Sequence, residues 1–160
     1  MGCDIHTAVE VFSDGKWKVK ALNVYDNRCY SLFAQLANVR NYSDLPFLEP
    51  KGFPQDSYWE VNLEDGYFHS PSHLTVKELK EFYKQNKTIE ISGMLSKKQQ
   101  KELEKGVLPD TYCQDTNMCG YETCFWEIEN EEMREFIRTI EYSGRSFSEE
   151  NVRVVFYFDN

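Results

Sequence analysis

The sequence predicts an α+β fold in which a mostly antiparallel sheet is backed by three or four helices. Three observations support this prediction: a β-hairpin pattern opens the chain, helical patterns follow it, and an apolar strand pattern comes last. The chain has 160 residues, the length of one ordinary domain, and no repeat or linker divides it. We therefore predict a single domain over residues 1–160.

The sheet is predicted from both ends of the sequence. Residues 3–12 are rich in β-branched side chains, and residues 17–24 alternate between apolar and polar. The segment Ser13-Asp14-Gly15-Lys16 between them is typical of a hairpin turn. Residues 152–158 (VRVVFYF) are apolar at nearly every position, which indicates a strand covered on both faces. The N-terminal hairpin and the C-terminal strand therefore form the predicted sheet.

The first and last predicted helices are recognised by their apolar periodicity. Residues 30–39 place apolar side chains on one face, and a proline-containing loop follows over residues 40–57. Loops of about 15 residues inside small domains are often functional. Residues 58–63 are either a short edge strand or part of that loop. The clearest helix follows Asn130, where apolar residues recur at spacings i, i+3, i+4 and i+7.

Two capping boxes predict where the other two helices begin. Thr75 with Glu78, and Ser96 with Gln99, have the spacing at which each side chain can bond the backbone N–H of the other residue. A short strand at residues 88–92 is expected between these helices. Residues 107–125 mix glycine, proline, cysteine and aromatic side chains and predict no element.

The net charge excludes several classes of partner. Eighteen Lys and Arg residues against 27 Asp and Glu residues give a net charge of −9. A surface of that sign repels a polyanion, so we expect no binding to a nucleic acid polymer. No apolar run is long enough to span a bilayer, and no signal segment opens the sequence. We therefore expect no membrane partner and a cytoplasmic location.

The five cysteines predict free thiols. The spacing of Cys113, Cys119 and Cys124 lacks the C-x2-C pair of structural zinc sites. Without an export signal, reduced thiols that behave as small apolar side chains are the expected state. We predict no metal and no cofactor, and the sequence assigns these three cysteines no role.

The first candidate site is the pair Asp4 and His6. In a strand these two side chains lie on the same face, while Cys3 lies on the other. A carboxylate beside an imidazole can orient the ring or bind a ligand hydroxyl or phosphate. The alternative is that both residues lie on the solvated face of an edge strand and have no functional role.

The second candidate site is the cluster His69, Ser70 and Ser72, which precedes the capping box at Thr75. Hydroxyl and imidazole donors beside a helix N-terminus suit a phosphate or a carboxylate. The alternative is an ordinary turn in which these residues serve as caps.

The third candidate site is Arg40 with Asn41, where the first predicted helix ends. A guanidinium group can bind phosphate with two parallel hydrogen bonds, and an Asn amide can pair with the edge of a base. Arg40 is the only permanent cation among the candidate residues. The alternative is that Arg40 interacts only with the C-terminal dipole of its helix.

Four segments resemble a family of small phage and bacterial proteins. They are the opening MGCDIH, residues 30–41 (YSLFAQLANVRN), residues 69–75 (HSPSHLT) and the ending RVVFYFDN. Members of that family typically begin with MGCDIH and end in a similar aromatic strand with FDN. The four segments are spread over the whole chain, but the resemblance implies no activity. His73 stands where such proteins often have Trp, so we expect no shared role for it.

The resembling segments contain all three polar clusters. By analogy with small phage proteins that act on the nucleotide signals of bacterial antiviral immunity, we predict an anti-defence protein that captures a phosphorylated nucleotide. A cyclic mono- or dinucleotide or an ADP-ribose derivative would be the ligand. We predict that the three clusters converge on one site. Its expected ligand-binding residues are Asp4, His6, Arg40, Asn41, His69, Ser70 and Ser72, and the aromatic residues available to stack a base are Tyr30, Tyr42, Phe47, Tyr58, Trp59 and Phe68.

Two other functions fit the same residues. The first is a phosphodiesterase or related hydrolase in which His6 and His69 act as acid and base. The second is a structural or partner-binding accessory protein. A homo-oligomer is a working hypothesis, because small ligand-capturing proteins often place their pockets at subunit interfaces.

Overall fold

The α+β fold predicted from the sequence is confirmed. A computed structural model describes residues 2–59, 67–114 and 118–160. The described strands are β1 (Asp4–Ser13), β2 (Lys16–Leu22), β3 (Phe68–Thr75), β4 (Thr88–Ser96), β5 (Tyr121–Glu129) and β6 (Val152–Asp159). The helices are α1 (Tyr30–Ala37), α2 (Val76–Gln85), α3 (Lys97–Leu103) and α4 (Glu131–Ser143), and a 3₁₀ turn (Glu149–Asn151) precedes β6.

The larger sheet contains the predicted hairpin and the predicted C-terminal strand. Its strand order is β2-β1-β6-β3, and every pairing is antiparallel. Asp14 and Gly15 have positive φ angles in the β1–β2 turn, as a tight hairpin requires. Strand β6 lies between β1 and β3 in the middle of the sheet. Its apolar side chains are covered on both faces, in agreement with the sequence pattern.

Helices α1, α2 and α4 cover one face of this sheet, which we call the helix face. Phe156 and Phe158 of β6, Ile5 of β1 and the apolar stripe of α4 belong to one core cluster. Helix α1 is buried from Leu32 to Ala37, because a second apolar cluster on its other side includes Ala34. Helix α1 therefore lies between the two sheets.

The opposite face of the larger sheet is covered by the loop segment of residues 52–59, and we call it the loop face. Glu10 and Arg153 form a buried ion pair on this face, with 2.7 Å between Arg153 Nε and Glu10 Oε2. Ser57 donates a hydrogen bond to the other carboxylate oxygen of Glu10, and Arg153 also binds Asp56 of the loop. The loop predicted over residues 40–57 is thus held against the sheet by a charged network.

The smaller sheet pairs β4 with β5 and was only partly predicted. Strand β4 extends four residues beyond the expected strand, and β5 lies largely in the segment that predicted no element. Most side chains of β5 are exposed, so its sequence lacks the apolar alternation that identifies a half-buried strand. Its Trp126 packs with Leu45 and Ala34 in the second apolar cluster. Of the segment 58–63, residues 60–63 lie outside the described residues.

Both capping boxes predicted from the sequence are formed. The Thr75 and Ser96 side chains accept hydrogen bonds from the backbone N–H groups of Glu78 and Gln99, whose side chains bond back to the caps. Helix α3 ends at Leu103 and is followed by a turn that includes Gly106. Among the four described helices, none has the length and apolar character needed to cross a bilayer.

Candidate functional site

A cleft of about 440 Å³ lies between the start of α1, the loop after α1 and residues 112–114 near β4. Clefts of this volume accommodate small ligands. None of the described residues that line it is an aspartate or a glutamate, although the chain has 27 of them. The lining residues are Arg28, Cys29, Tyr30, Ser31, Ala34, Arg40, Asn41, Tyr42, Ser43, Leu45, Ile91, Tyr112, Cys113 and Gln114.

Arg40 lines this cleft, as the prediction of a ligand site requires. It follows the left-handed C-cap of α1 at Asn38 and itself has a φ of 50°, a conformation that few non-glycine residues adopt. Its guanidinium lies 5.2 Å from the centre of the Tyr30 ring and donates to the Tyr42 hydroxyl at 3.3 Å. A backbone strained in this way is common at binding sites, where the surrounding structure holds a side chain in place.

Arg28, which is not among the candidate residues selected from the sequence, is a second cation in the cleft. Asp4 binds Arg28 through two parallel hydrogen bonds, of 2.5 Å to Nε and 2.7 Å to Nη2. These hydrogen bonds and the positive charge of Arg28 hold the pKa of the Asp4 carboxyl below its usual range. A Cβ atom at Gly2 would overlap the Arg28 guanidinium, so the absence of a side chain there makes room for Arg28.

Tyr112 forms the wall of the cleft on the side of the smaller sheet. Its ring packs edge-on against Trp126, with 5.0 Å between the ring centres, and lies directly over Gly93. A side chain at Gly93 would displace the ring, because an added Cβ would lie 2.5 Å from Tyr112 Cδ2. The ring is nevertheless 43% exposed, so one part of it can contact a ligand.

Asn41 lines the cleft, but its side-chain amide forms hydrogen bonds within the loop that follows α1. It donates to Asn38 and to the carbonyl of Leu45, and its Oδ1 accepts from the Leu45 N–H. These hydrogen bonds would have to break if the Asn41 amide paired with the edge of a base, as the sequence analysis predicts. We therefore assign Asn41 a positioning role for the loop that carries Arg40.

Two thiols, those of Cys29 and Cys113, also face the cleft. Cys29 is the N-cap of α1, and its Sγ lies 3.1 Å from the Ser31 hydroxyl. Burial raises the pKa of the Cys29 thiol, so it is protonated at neutral pH. A protonated thiol is a poor nucleophile, so Cys29 is poorly suited to act as a nucleophile at neutral pH.

His69 lies beside Arg40 because both contact Cys3. The Cys3 Sγ is 3.9 Å from His69 Nε2, and the Arg40 guanidinium forms a hydrogen bond with the same thiol. A bulge in β3, at which Ser70 has a φ of 50°, places His69 on the helix face opposite Phe158. The Ser70 hydroxyl lies 3.1 Å from His69 Nδ1. The second and third predicted clusters therefore meet at Cys3.

Ser72 does not fit a ligand-binding role. It is fully buried in β3, and its Oγ accepts a hydrogen bond from the backbone N–H of Lys51. The segment of residues 69–75 is a strand and not the turn that was the alternative interpretation, because it pairs with β6 at the edge of the larger sheet. Ser72 thus anchors the covering loop to that edge.

Asp4 and His6 share one face of β1, as the strand pattern predicts, but His6 lies apart from the cleft. It pairs with Tyr157 across the strands and stacks on that ring on the loop face, with 4.7 Å between ring centres. Its Nε2 lies 2.9 Å from Asp159 Oδ2.

His6 is not among the described residues that line the cleft. His69 pairs with Phe158, the neighbour of Tyr157 in β6, so the two histidines lie on opposite faces of the sheet. In residues 2–59, 67–114 and 118–160, no group of three or more His, Cys, Asp or Glu side chains could hold a metal ion.

Comparisons with protein-family models, curated proteins and solved structures found no match to this chain. The cleft is therefore interpreted from its own residues.

Proposed function

We propose that the cleft binds a small phosphorylated nucleotide and that the protein captures this ligand without cleaving it. The main observation in support of this proposal is the charge of the side chains that line the cleft. In a chain with a net charge of −9, two arginines face one cleft and no described carboxylate lines it. An acidic protein that binds an anion needs such a local concentration of positive charge.

The two arginines are assigned to the phosphate. Arg28 is held in place by Asp4, and Arg40 is held between Tyr30 and Tyr42. Guanidinium groups that are already positioned lose little side-chain entropy when an anion binds.

The tyrosines are assigned to the base. Arg40 covers the face of Tyr30, which leaves Tyr42 and Tyr112 as the rings for stacking. The two residues are 50% and 43% exposed, respectively, and both line the cleft. Stacking on an aromatic ring contributes about 1–3 kcal/mol per base.

Capture is favoured over hydrolysis by the positions of the titratable groups. The acid–base pair that hydrolysis was predicted to use is split between the two faces of the sheet, at His6 and His69. The thiol of Cys29, which does face the cleft, has a pKa raised by burial. The protein should therefore release its ligand unchanged.

The test is isothermal titration calorimetry of the protein with nucleoside monophosphates, cyclic mono- and dinucleotides and ADP-ribose. We expect Arg40→Ala to weaken binding by about 1.5–3 kcal/mol, the range for a hydrogen bond to a charged group. Arg40→Lys should recover only part of that loss because it lacks the planar fork. Arg138→Ala, which removes an exposed arginine of α4, is the matched control.

To determine whether the protein cleaves the ligand, the complex is heated and the supernatant is analysed by chromatography. Unchanged ligand supports capture, whereas a new product would show catalysis. The proposal fails if no compound of the panel binds, or if Arg40→Ala stays folded and binds as tightly as the unmodified protein.

A further inference from the structure

We infer that the outer edge of β5 is a docking surface for an extended, basic segment of another protein, which pairs with β5 as a third strand of the smaller sheet. Three features of β5 support this function: its exposed edge, the glutamates beside that edge and the exposed ring of Phe125. The surface is separate from the nucleotide cleft, because no residue of β5 is among the described residues that line the cleft.

Strand β5 is long and has one edge without a partner strand among the described elements. Its nine residues, Tyr121–Glu129, pair with β4 on the other side. The far side of β4 is covered, because its Ser92 N–H donates to the Ser43 hydroxyl at 3.0 Å. In an antiparallel pair, every second residue directs its backbone N–H and C=O away from the partner strand. The edge of β5 therefore offers backbone donors and acceptors to an added strand.

The exposed face beside this edge is acidic. Glu90 of β4 lies directly opposite Glu127 of β5, and both side chains are exposed on the same face of the sheet. Glu129 adds a third carboxylate to this face, and its described ion pair with Arg134 is 4.0 Å long. No ion pair between described residues includes Glu90 or Glu127. Like charges directly opposite each other destabilise a sheet, so a cation placed beside them is favoured.

Phe125 gives the same face an apolar contact at the middle of β5. It is 61% exposed and lies opposite Ser92, on the face that carries Glu127 and Glu129. In an added strand, every second side chain lies on this face. A matching segment therefore has an apolar side chain beside Phe125 and basic side chains at the alternate positions beside Glu127 and Glu129.

The charges also decide which kind of partner fits. A second copy of this chain would bring another net charge of −9 to the edge. It would also bring the three exposed glutamates of its own β5, which are Glu122, Glu127 and Glu129. Charged side chains on an edge strand oppose pairing between identical edges. A basic segment is attracted by the same charges.

The test uses the full chain and a fluorescein-labelled synthetic peptide of the same length as β5. The peptide has phenylalanine in the middle and alternates lysine with threonine on both sides. Fluorescence anisotropy at low salt should show saturable binding that weakens as sodium chloride is added. A peptide with glutamate in place of lysine should not bind. A peptide of the same composition with all lysines before the phenylalanine keeps the charge and loses the alternation, so it should bind more weakly.

Hydrogen exchange locates the bound peptide. If the peptide adds to the edge as a strand, the backbone amides of β5 acquire new hydrogen bonds. Their exchange should therefore slow when the alternating peptide is bound, whereas exchange in the larger sheet should not change.

The double variant Glu90→Gln/Glu127→Gln should weaken binding of the alternating peptide by about tenfold. Each unit charge ~6 Å from a lysine contributes about threefold in water. The variant should stay folded, because it removes a repulsive cross-strand pair. The matched control Asp14→Asn/Glu150→Gln removes two charges from exposed ion pairs outside the smaller sheet and should leave the affinity unchanged.

Four results would refute this docking surface. They are no binding of the alternating peptide, equal binding of the two lysine peptides, unchanged affinity in the folded Glu90→Gln/Glu127→Gln variant, and slowed exchange outside β5. A dimer of the protein alone that slows exchange in β5, detected by analytical ultracentrifugation, would also refute it, because a second copy would then occupy the edge.

Discussion

The buried ion pair between Glu10 and Arg153 makes the larger sheet and its covering loop depend on each other. The side chain of Glu10 is 0% exposed and that of Arg153 is 5% exposed, so neither is solvated by water. Replacing Glu10 with Met would leave the buried Arg153 charge without its buried carboxylate, and of its described partners Asp56 and the Trp17 ring would remain. Removing one partner from a buried ion pair costs about 3–5 kcal/mol, a large part of a typical stability of ~5–15 kcal/mol.

We therefore expect Glu10→Met to lower the free energy of unfolding by about 3–5 kcal/mol in urea denaturation. The melting temperature should fall by roughly 6–20 °C, because 1 kcal/mol corresponds to ~2–4 °C at this chain length. Adding Arg153→Met should recover part of the loss, because it removes the unpaired buried charge. The hydrogen bonds that Ser57 and the Tyr58 N–H donate to Glu10 stay lost in both variants.

The matched control is Glu150→Ala, which removes an exposed ion pair with Lys77 and should not change stability measurably. A loss below about 1 kcal/mol for Glu10→Met, or no recovery in the double variant, would refute the role assigned to this pair.

Two further predictions concern a buried amide pair and a thiol. Asn130→Ala should lower the free energy of unfolding by about 1–3 kcal/mol, because Oε1 of the fully buried Gln35 then loses the hydrogen bond that Asn130 donates to it. Urea denaturation measures this, and an effect no larger than that of Asn151→Ala, which removes an exposed bond, would contradict it. Cys29 should be alkylated by iodoacetamide much more slowly than the exposed Cys119 at neutral pH, because burial raises the Cys29 pKa. The alkylation rate of Cys29 should rise as the pH approaches its raised pKa. Mass spectrometry measures both rates, and equal rates for Cys29 and Cys119 at neutral pH would contradict the raised pKa of Cys29.

Elements that depend on neighbouring residues were predictable from the sequence. The turn at Asp14 and Gly15, the capping boxes and the apolar stripe of α4 are all present where the sequence placed them. Each depends on backbone and side-chain groups within about one or two helical turns, so the pattern contains the whole interaction.

Asn130 shows where this local information ends. It does precede α4 at the N-cap position, but its side chain makes no capping bond. Its amide instead exchanges hydrogen bonds with Gln35, 95 residues away in the sequence, and also bonds the Asn86 carbonyl. A local pattern gave the position of Asn130 correctly, and the packing of α1 against the start of α4 decided its partner.

The candidate site was predictable only in part for the same reason. Arg40 could be recognised at the end of a helix, and Arg28 precedes the predicted start of that helix, a position at which a second cation could have been noticed. Tyr112 had no such signal, because it lies in a segment without periodicity and enters the cleft through its contacts with Gly93 and Trp126.

The sequence by itself determined the fold class, the helix starts, the hairpin and the shared face of Asp4 and His6. These properties follow from side-chain periodicity and from hydrogen bonds between near neighbours. Only the tertiary structure decided that His69 lies on the opposite face from His6 and beside Arg40. That outcome depends on the register of β1 and β3 on β6, and a shift of one residue in either pairing would have reversed it.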